Sequence, residues 1–179
     1  MADMNAHMKR IVAYNPLWTK LFSVEAGCLS DRLGPILIGS HHIGSTAIPN
    51  LPAKPIIDIL LEVETLSLLD AQDSTFASCG YDIRGAYGIE GRRYFNKRPT
   101  VEMPGFHVHA YKAGSYQVHR HLAFRNYLRL KPDIATEYAD IKRSLSDSKG
   151  ILTPDYQAAK KPWVDAMSLE ALSHFSGEV

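Results

Sequence analysis

The chain has 179 residues, 45% of them hydrophobic and 22% charged, with a formal net charge of +1. That is the composition of an ordinary globular domain, long enough to bury a core without disulfide or metal staples. It excludes a grossly basic nucleic-acid binder, and no apolar run reaches membrane-spanning length. No specific nucleic-acid or membrane partner is therefore expected. Cys28 and Cys79 fit neither a zinc pattern nor a disulfide framework and read as small hydrophobes of a reducing compartment. The opening "MADMNAHMKR" lacks the apolar segment of a signal peptide, so the cytoplasm is the expected location.

Asn15-Pro16 predicts the first helix start, a capping side chain followed by proline at the first helical position. Leu17, Leu21, Val24 and Leu29 supply its apolar stripe, and Gly34-Pro35 ends it. Ile36 to Ile43 reads as a strand. Pro55 to Val63 reads as a better one, a near-continuous apolar run. Thr65 to Cys79 is amphipathic and predicts a helix closed by Gly80. The glycine-rich stretch from Tyr81 to Arg98 predicts one or two short strands around a loop. Phe106 to Lys112 alternates as a strand. Helices are expected over Ser115–Leu130, from Pro132 or Asp133 to about Ser146, and from Pro154 to about Phe175, the last interrupted or kinked at Pro162. The order predicts the α/β (α+β) class: one domain over residues 1–179, with a single mixed sheet packed by helices. Trp18 and Trp163 read as core residues.

Two features carry chemistry. Gly44-Ser45-Thr46 ends the first strand with exposed backbone donors and two hydroxyls. It is either a phosphate cradle or an ordinary turn. Asp58 interrupts the second, apolar strand, where an unpaired carboxylate would be costly. It meets either a divalent cation or a cationic side chain such as Lys54. His107 and His109 alternate onto one strand face, and His42, His119 and His121 lie nearby in sequence. Imidazole with carboxylate suits a transition metal; the alternative is hydrogen bonding to phosphate, to Asp58 or to backbone. Arg93, alternating with Phe95, is read as pointing into the pocket. Arg125 shares a helix side with His121 and Arg129, and one such arginine is expected to reach a ligand. Lys160, four residues after Tyr156, either closes the pocket or is a surface lysine.

A strand ending in Gly-Ser, 12 intervening residues and then a strand aspartate resembles the layout of the nucleotidyltransferase superfamily. More narrowly, "HIGSTAIPNLPAKPIIDIL" (42–60), "FHVHAY" (106–111) and "HLAFRNYLRLKPDIATEYADIKRSL" (121–145) resemble the GrpB family, with a weaker echo in "YQAAK" (156–160). The likeness runs from about residue 9 to near the end. It implies a nucleotidyltransferase-like fold but no settled reaction. Relatives joined to a dephospho-coenzyme A kinase domain hint at nucleotide or coenzyme metabolism. The implied ligands are a nucleoside triphosphate or other small phosphorylated molecule and a divalent metal (Mg²⁺ or Mn²⁺, or else Zn²⁺). Gly44, Ser45, Thr46, Lys54, Arg93 and Arg125 are the expected ligand-binding residues. Asp58, His107 and His109 are the expected catalytic and metal-binding residues. The chain departs from the superfamily's paired carboxylates: Leu60 stands two positions after Asp58, and Glu62 is one repeat further along the same face. The alternatives are a non-catalytic sensing module and a His/Asp metal-dependent hydrolase.

Overall fold

The structure, a computed structural model, describes residues 11–149 and 154–176. The expected domain start near residue 9 lies outside them. Helix α1 (Leu17–Leu33) begins where Asn15 Oδ1 accepts the Leu17 N–H at 3.0 Å. It ends at Gly34, whose φ of +59° lets its N–H turn back onto the Ser30 carbonyl. Strands β1 (Leu37–Ile43) and β2 (Ile56–Val63) follow, joined through a 3₁₀ turn at Ser45–Ala47. Two short helices come next, α2 (Leu66–Asp70) and α3 (Asp73–Ser78). Then come β3 (Asp82–Ile83), β4 (Arg93–Lys97) and β5 (Gly105–Lys112). Helices α4 (Tyr116–Leu130), α5 (Pro132–Lys149) and α6 (Pro154–Ser176) complete the described chain.

The strands form one mixed sheet in the order β1-β2-β5-β4-β3. Only β2 and β5 run parallel; the other neighbouring pairs are antiparallel. β2 is an interior strand, flanked by β1 and β5, which explains why its sequence is nearly all apolar. Its two faces differ. Ile57, Ile59, Leu61 and Val63 join Phe95, Phe106 and Val108 under α1, α2 and α3, in a core that includes Trp18, Leu29, Leu69 and Phe76. Asp58, Leu60 and Glu62 take the opposite face, as strand alternation requires. Part of that face is covered by α4, where Val118 and Leu122 pack on Ile43, Leu60 and Tyr111. Helix α6 packs against α4 and α5.

Three expectations need correction. The α1 stripe is displaced: Leu17 and Val24 are exposed, and Trp18, Ala26, Leu29 and Leu33 are buried. The large Trp18 ring takes the core side, and Glu25 beside it is accommodated by the Tyr81 hydroxyl (2.9 Å) and Lys97 Nζ (2.8 Å). The helix expected over 65–79 is split at Gln72 (φ −100°, ψ 12°), whose side chain accepts the Thr75 hydroxyl proton at 3.0 Å. The last helix continues through Pro162, where the missing N–H leaves the Ala158 carbonyl without its helical donor. Trp163 is only half-buried and stacks on Tyr138 at 4.8 Å, and Cys28 is exposed. No helix among the described residues is long and apolar enough to cross a membrane.

Candidate ligand-binding site

A cavity of about 350 Å³ opens between the uncovered part of the sheet and helices α4, α5 and α6. Asp58 stands on its floor. The parallel register sets Asp58 beside His107 and Leu60 beside His109. Both imidazoles approach the same carboxylate oxygen: His107 Nδ1 is 3.5 Å and His109 Nε2 3.6 Å from Asp58 Oδ1. Burial alone would push the Asp58 pKa up. The two histidines outweigh that effect and hold the carboxyl well below the usual carboxylate range. The other oxygen, Oδ2, lies against the turn after β1. A Cβ on Gly44 would sit 2.3 Å from it, and Gly44 has φ +69° and ψ −172°, a region essentially reserved for glycine. Two independent constraints thus require glycine at 44.

The turn is held from outside the cavity. Arg125 Nη1 donates to the His42 carbonyl at 3.1 Å, and Arg129 donates through Nε and Nη2 to the Ala47 carbonyl at 2.9 and 2.7 Å. The i, i+4 spacing was legible, but these two arginines brace backbone, and Arg125 is not a cavity residue. The Thr46 side chain is engaged with His42, whose Nε2 lies 3.0 Å from Thr46 Oγ1. His42 faces α1, stacked on Phe22 at 4.9 Å, and burial pushes its pKa down to about 4. His119 is exposed. His121 lines the cavity, and burial, with His109 and Arg120 nearby, pushes its pKa down to about 4.

Arg93 is a correction. Its alternation with Phe95 places it on the opposite side of the sheet, where its fork grips Asp70 of α2 at 2.5 and 2.7 Å. Lys97 is likewise taken by Glu25. Arg92 donates to the Ala86 and Tyr87 carbonyls and lies over the Tyr94 ring.

The cations of the cavity come from elsewhere. Lys54 precedes β2, Lys142 projects from α5, Lys160 from α6 and Arg120 from α4. Lys54 and Lys160 both lie over the Tyr156 ring, 5.2 and 5.4 Å from its centroid. Lys142 is 3% exposed and donates to Ser45 Oγ (3.1 Å) and the Pro52 carbonyl (2.6 Å). Burial, reinforced by the neighbouring lysines, pushes Lys142 down to about 7 and Lys54 to about 8; burial also lowers Lys160. Arg120 is matched by Asp165 at 2.7 Å. Sequence reasoning missed Lys142, although its position was marked. It falls four residues after Tyr138 and seven after Ala135, on a stripe that is otherwise apolar.

The donor set does not fit the paired-carboxylate metal centre that the sequence likeness implies. The second carboxylate position is Leu60, fully buried among Ile43, Tyr111 and Val118. Glu62 is committed elsewhere, its Oε1 2.8 Å from His41 Nε2 and its Oε2 accepting the Gly114 N–H. Among the described residues, no three His, Cys, Asp or Glu side chains are arranged to hold a metal ion. The expected Asp58/His107/His109 ligand set is instead an internally paired cluster.

Fold and site together define an α+β protein with a cationic, ligand-sized cleft against its sheet. The GrpB protein family profile matches residues 9–169, and the chain belongs to that family. It is 42% identical over 154 residues to the UPF0157 protein YqkA of Bacillus subtilis, covering 86% of this chain and 44% of that protein. It is 30% identical over 168 residues to the glutamate-rich protein GrpB of Alkalihalophilus pseudofirmus, covering 92% and 97%. The chain thus spans less than half the length of YqkA and nearly all of the second relative. The crystal structure of the conserved protein GrpB from Enterococcus faecalis superposes with a TM-score of 0.84 at 37% identity, over 93% of this chain and 99% of that one.

Proposed function

We propose that this protein binds a phosphorylated small molecule, with a nucleotide as the leading candidate. The observation that carries this reading is the convergence of Lys54, Lys142, Lys160 and the Ser45 hydroxyl on one cavity. Among the described residues the only carboxylate lining it is Asp58, which faces two imidazoles. A volume of about 350 Å³ falls at the small end of ligand sites, which run from roughly 300 to 1,000 Å³. Phe124, Val164 and Ile11 supply an apolar wall on which a base or other flat group can lie. The missing carboxylate partner at Leu60 favours binding over nucleotidyl transfer.

The test is a thermal-shift panel of nucleotides and simple phosphates on the wild type and Lys160→Met. A ligand at about 100 times its dissociation constant should add roughly 2.7 kcal/mol, or about 5–10 °C for a chain of this length. A panel with no shift for any phosphate compound would overturn the proposal.

The Asp58 contacts favour a second reading, acid–base catalysis on the bound ligand. A carboxylate that orients imidazoles beside a ligand cavity is what general-base chemistry requires. His107 or His109 would move the proton, and Asp58 would position it. Asp58→Asn should then abolish turnover while leaving binding within a few-fold of wild type. Equal loss of both would reduce Asp58 to a structural role.

A further inference from the structure

We propose that this cavity takes its phosphorylated ligand as a metal-free polyanion, with lysine ammonium groups supplying the charge that a divalent cation supplies in metal-dependent phosphoryl chemistry. This deepens the proposed function and rests on it.

Among the described residues, three lysines and one aspartate line the cavity, a formal balance of +2 (3 − 1) when all three lysines are protonated and the histidines are neutral, with Arg120 paired to Asp165. A cavity of that sign repels a divalent cation, and its single carboxylate is shared between two imidazoles. The same charge suits a ligand with at least two negative charges. A pyrophosphate group, such as the tail of a nucleoside di- or triphosphate, meets that requirement.

The three lysines also come from three separate segments, the loop before β2, α5 and α6. Convergence from three segments is not the by-product of one charged helix face. Lys142 makes the strongest point. The Lys142 residue is 3% exposed, and burying a charged side chain is costly unless something offsets it. Two of its donors are used, on Ser45 and Pro52, the Tyr138 ring centroid lies 4.7 Å from its Nζ, and the residue lines the cavity. A phosphate oxygen would give this ammonium the counter-charge that a hydroxyl, a carbonyl and a ring do not. Burial first, and then the neighbouring lysines, lower the pKa of Lys54 and Lys142, and an anion beside them would offset both effects.

Magnesium then becomes a competitor. It binds the phosphate oxygens in solution, lowers their charge and adds a hydrated ion for which the cavity offers no carboxylate pair. Binding should be at least as tight in EDTA as in excess Mg²⁺.

The experiment is calorimetric titration of the full chain with inorganic pyrophosphate and with ADP, in EDTA and in excess MgCl₂. Wild type, Lys160→Met and Lys142→Met are compared, with circular dichroism confirming that each is folded. The expected result is binding in EDTA, equal or weaker binding in Mg²⁺, and roughly tenfold loss in Lys160→Met, since a charge-assisted hydrogen bond contributes about that factor. Lys160→Met keeps the test open if Lys142→Met fails to fold. Binding that requires Mg²⁺, or that is indifferent to both lysines, overturns this inference and leaves the proposed function standing. No binding of either probe in either buffer overturns both.

Discussion

The two faces of the interior strand β2 differ in what their side chains do. Toward α1, α2 and α3, β2 presents Ile57, Ile59, Leu61 and Val63, each fully buried. Toward the cavity it presents Ile56, Asp58, Leu60 and Glu62, of which only Leu60 is fully buried. One eight-residue strand thus serves packing on all its odd positions, while its even positions are divided between the cavity, at Ile56 and Asp58, and the cover of α4, at Leu60. A substitution on the packed face should change stability with little effect on the ligand, and a substitution on the cavity face should change ligand affinity, whatever it does to stability.

The largest effect is expected on the packed face. Phe95 is 1% exposed and stacks on Phe76 with ring centroids 3.8 Å apart. Phe95→Ala should cost about 3–5 kcal/mol in denaturant unfolding, as large-to-small core changes do. Pyrophosphate affinity should be unchanged under conditions where the variant is folded. A loss of affinity alongside the loss of stability would break the division between faces.

Gly44→Ala tests the other face at its tightest point. The backbone conformation alone costs on the order of 1–3 kcal/mol for a non-glycine residue, and the added methyl meets Asp58 Oδ2 at 2.3 Å. Stability and ligand affinity should both fall. Combining it with Asp58→Ala should restore part of the stability, because the clash is removed while the backbone strain stays. Strict additivity would show that the turn and the carboxylate are not in contact.

The lysine cluster predicts a pH dependence. Lys142 is lowered to about 7 in the folded chain, against roughly 10.4 when unfolded. Between these values the unfolded state binds more protons, so stability rises with pH, at most by about 1.4 kcal/mol per pH unit. Urea unfolding of the empty protein should therefore show rising stability from about pH 7 toward 10, and Lys142→Met should flatten the rise. Pyrophosphate should flatten it too, because the anion favours the protonated lysine. A pH-independent wild type in this window would contradict the burial of an ammonium on α5.

Strand periodicity made much of this arrangement readable in advance. The strands, the glycine-serine turn and the isolated aspartate follow from local patterns, and alternation put His107 and His109 on one face. Partnership across the fold was not readable. The i, i+4 spacing of His121, Arg125 and Arg129 was visible, but nothing local shows that the two arginines end on the carbonyls of His42 and Ala47, more than eighty residues away in sequence. The α1 stripe failed because Leu17 and Val24 fit a helical period as well as Trp18 does, and only the sheet decides which side is covered. Lys142 shows a different limit. Its place on an apolar stripe was visible, but a lysine on a helix is ordinarily solvated.

Arg93 gives the smallest expected effect and the sharpest test of the register. Both it and Phe95 belong to β4, so they share the packed face, and at the sheet margin the guanidinium pairs with Asp70. The Arg93 hydrogen bond outweighs desolvation and lowers the Asp70 pKa. The pair therefore adds stability above the unfolded carboxylate value, and that contribution is lost as pH falls through the lower, folded one. The Asp70 side chain is 45% exposed, so solvent screens most of the attraction. Pairs of this kind contribute roughly 0–1 kcal/mol. Arg93→Ala should thus cost under about 1 kcal/mol, less at high salt, and leave pyrophosphate binding unchanged. A clear loss of binding in Arg93→Ala would mean that β4 is read one residue out of register, since a single-residue slip sends every side chain to the other face. The same slip would carry Phe95 into the cavity, and Phe95→Ala would then lose affinity too.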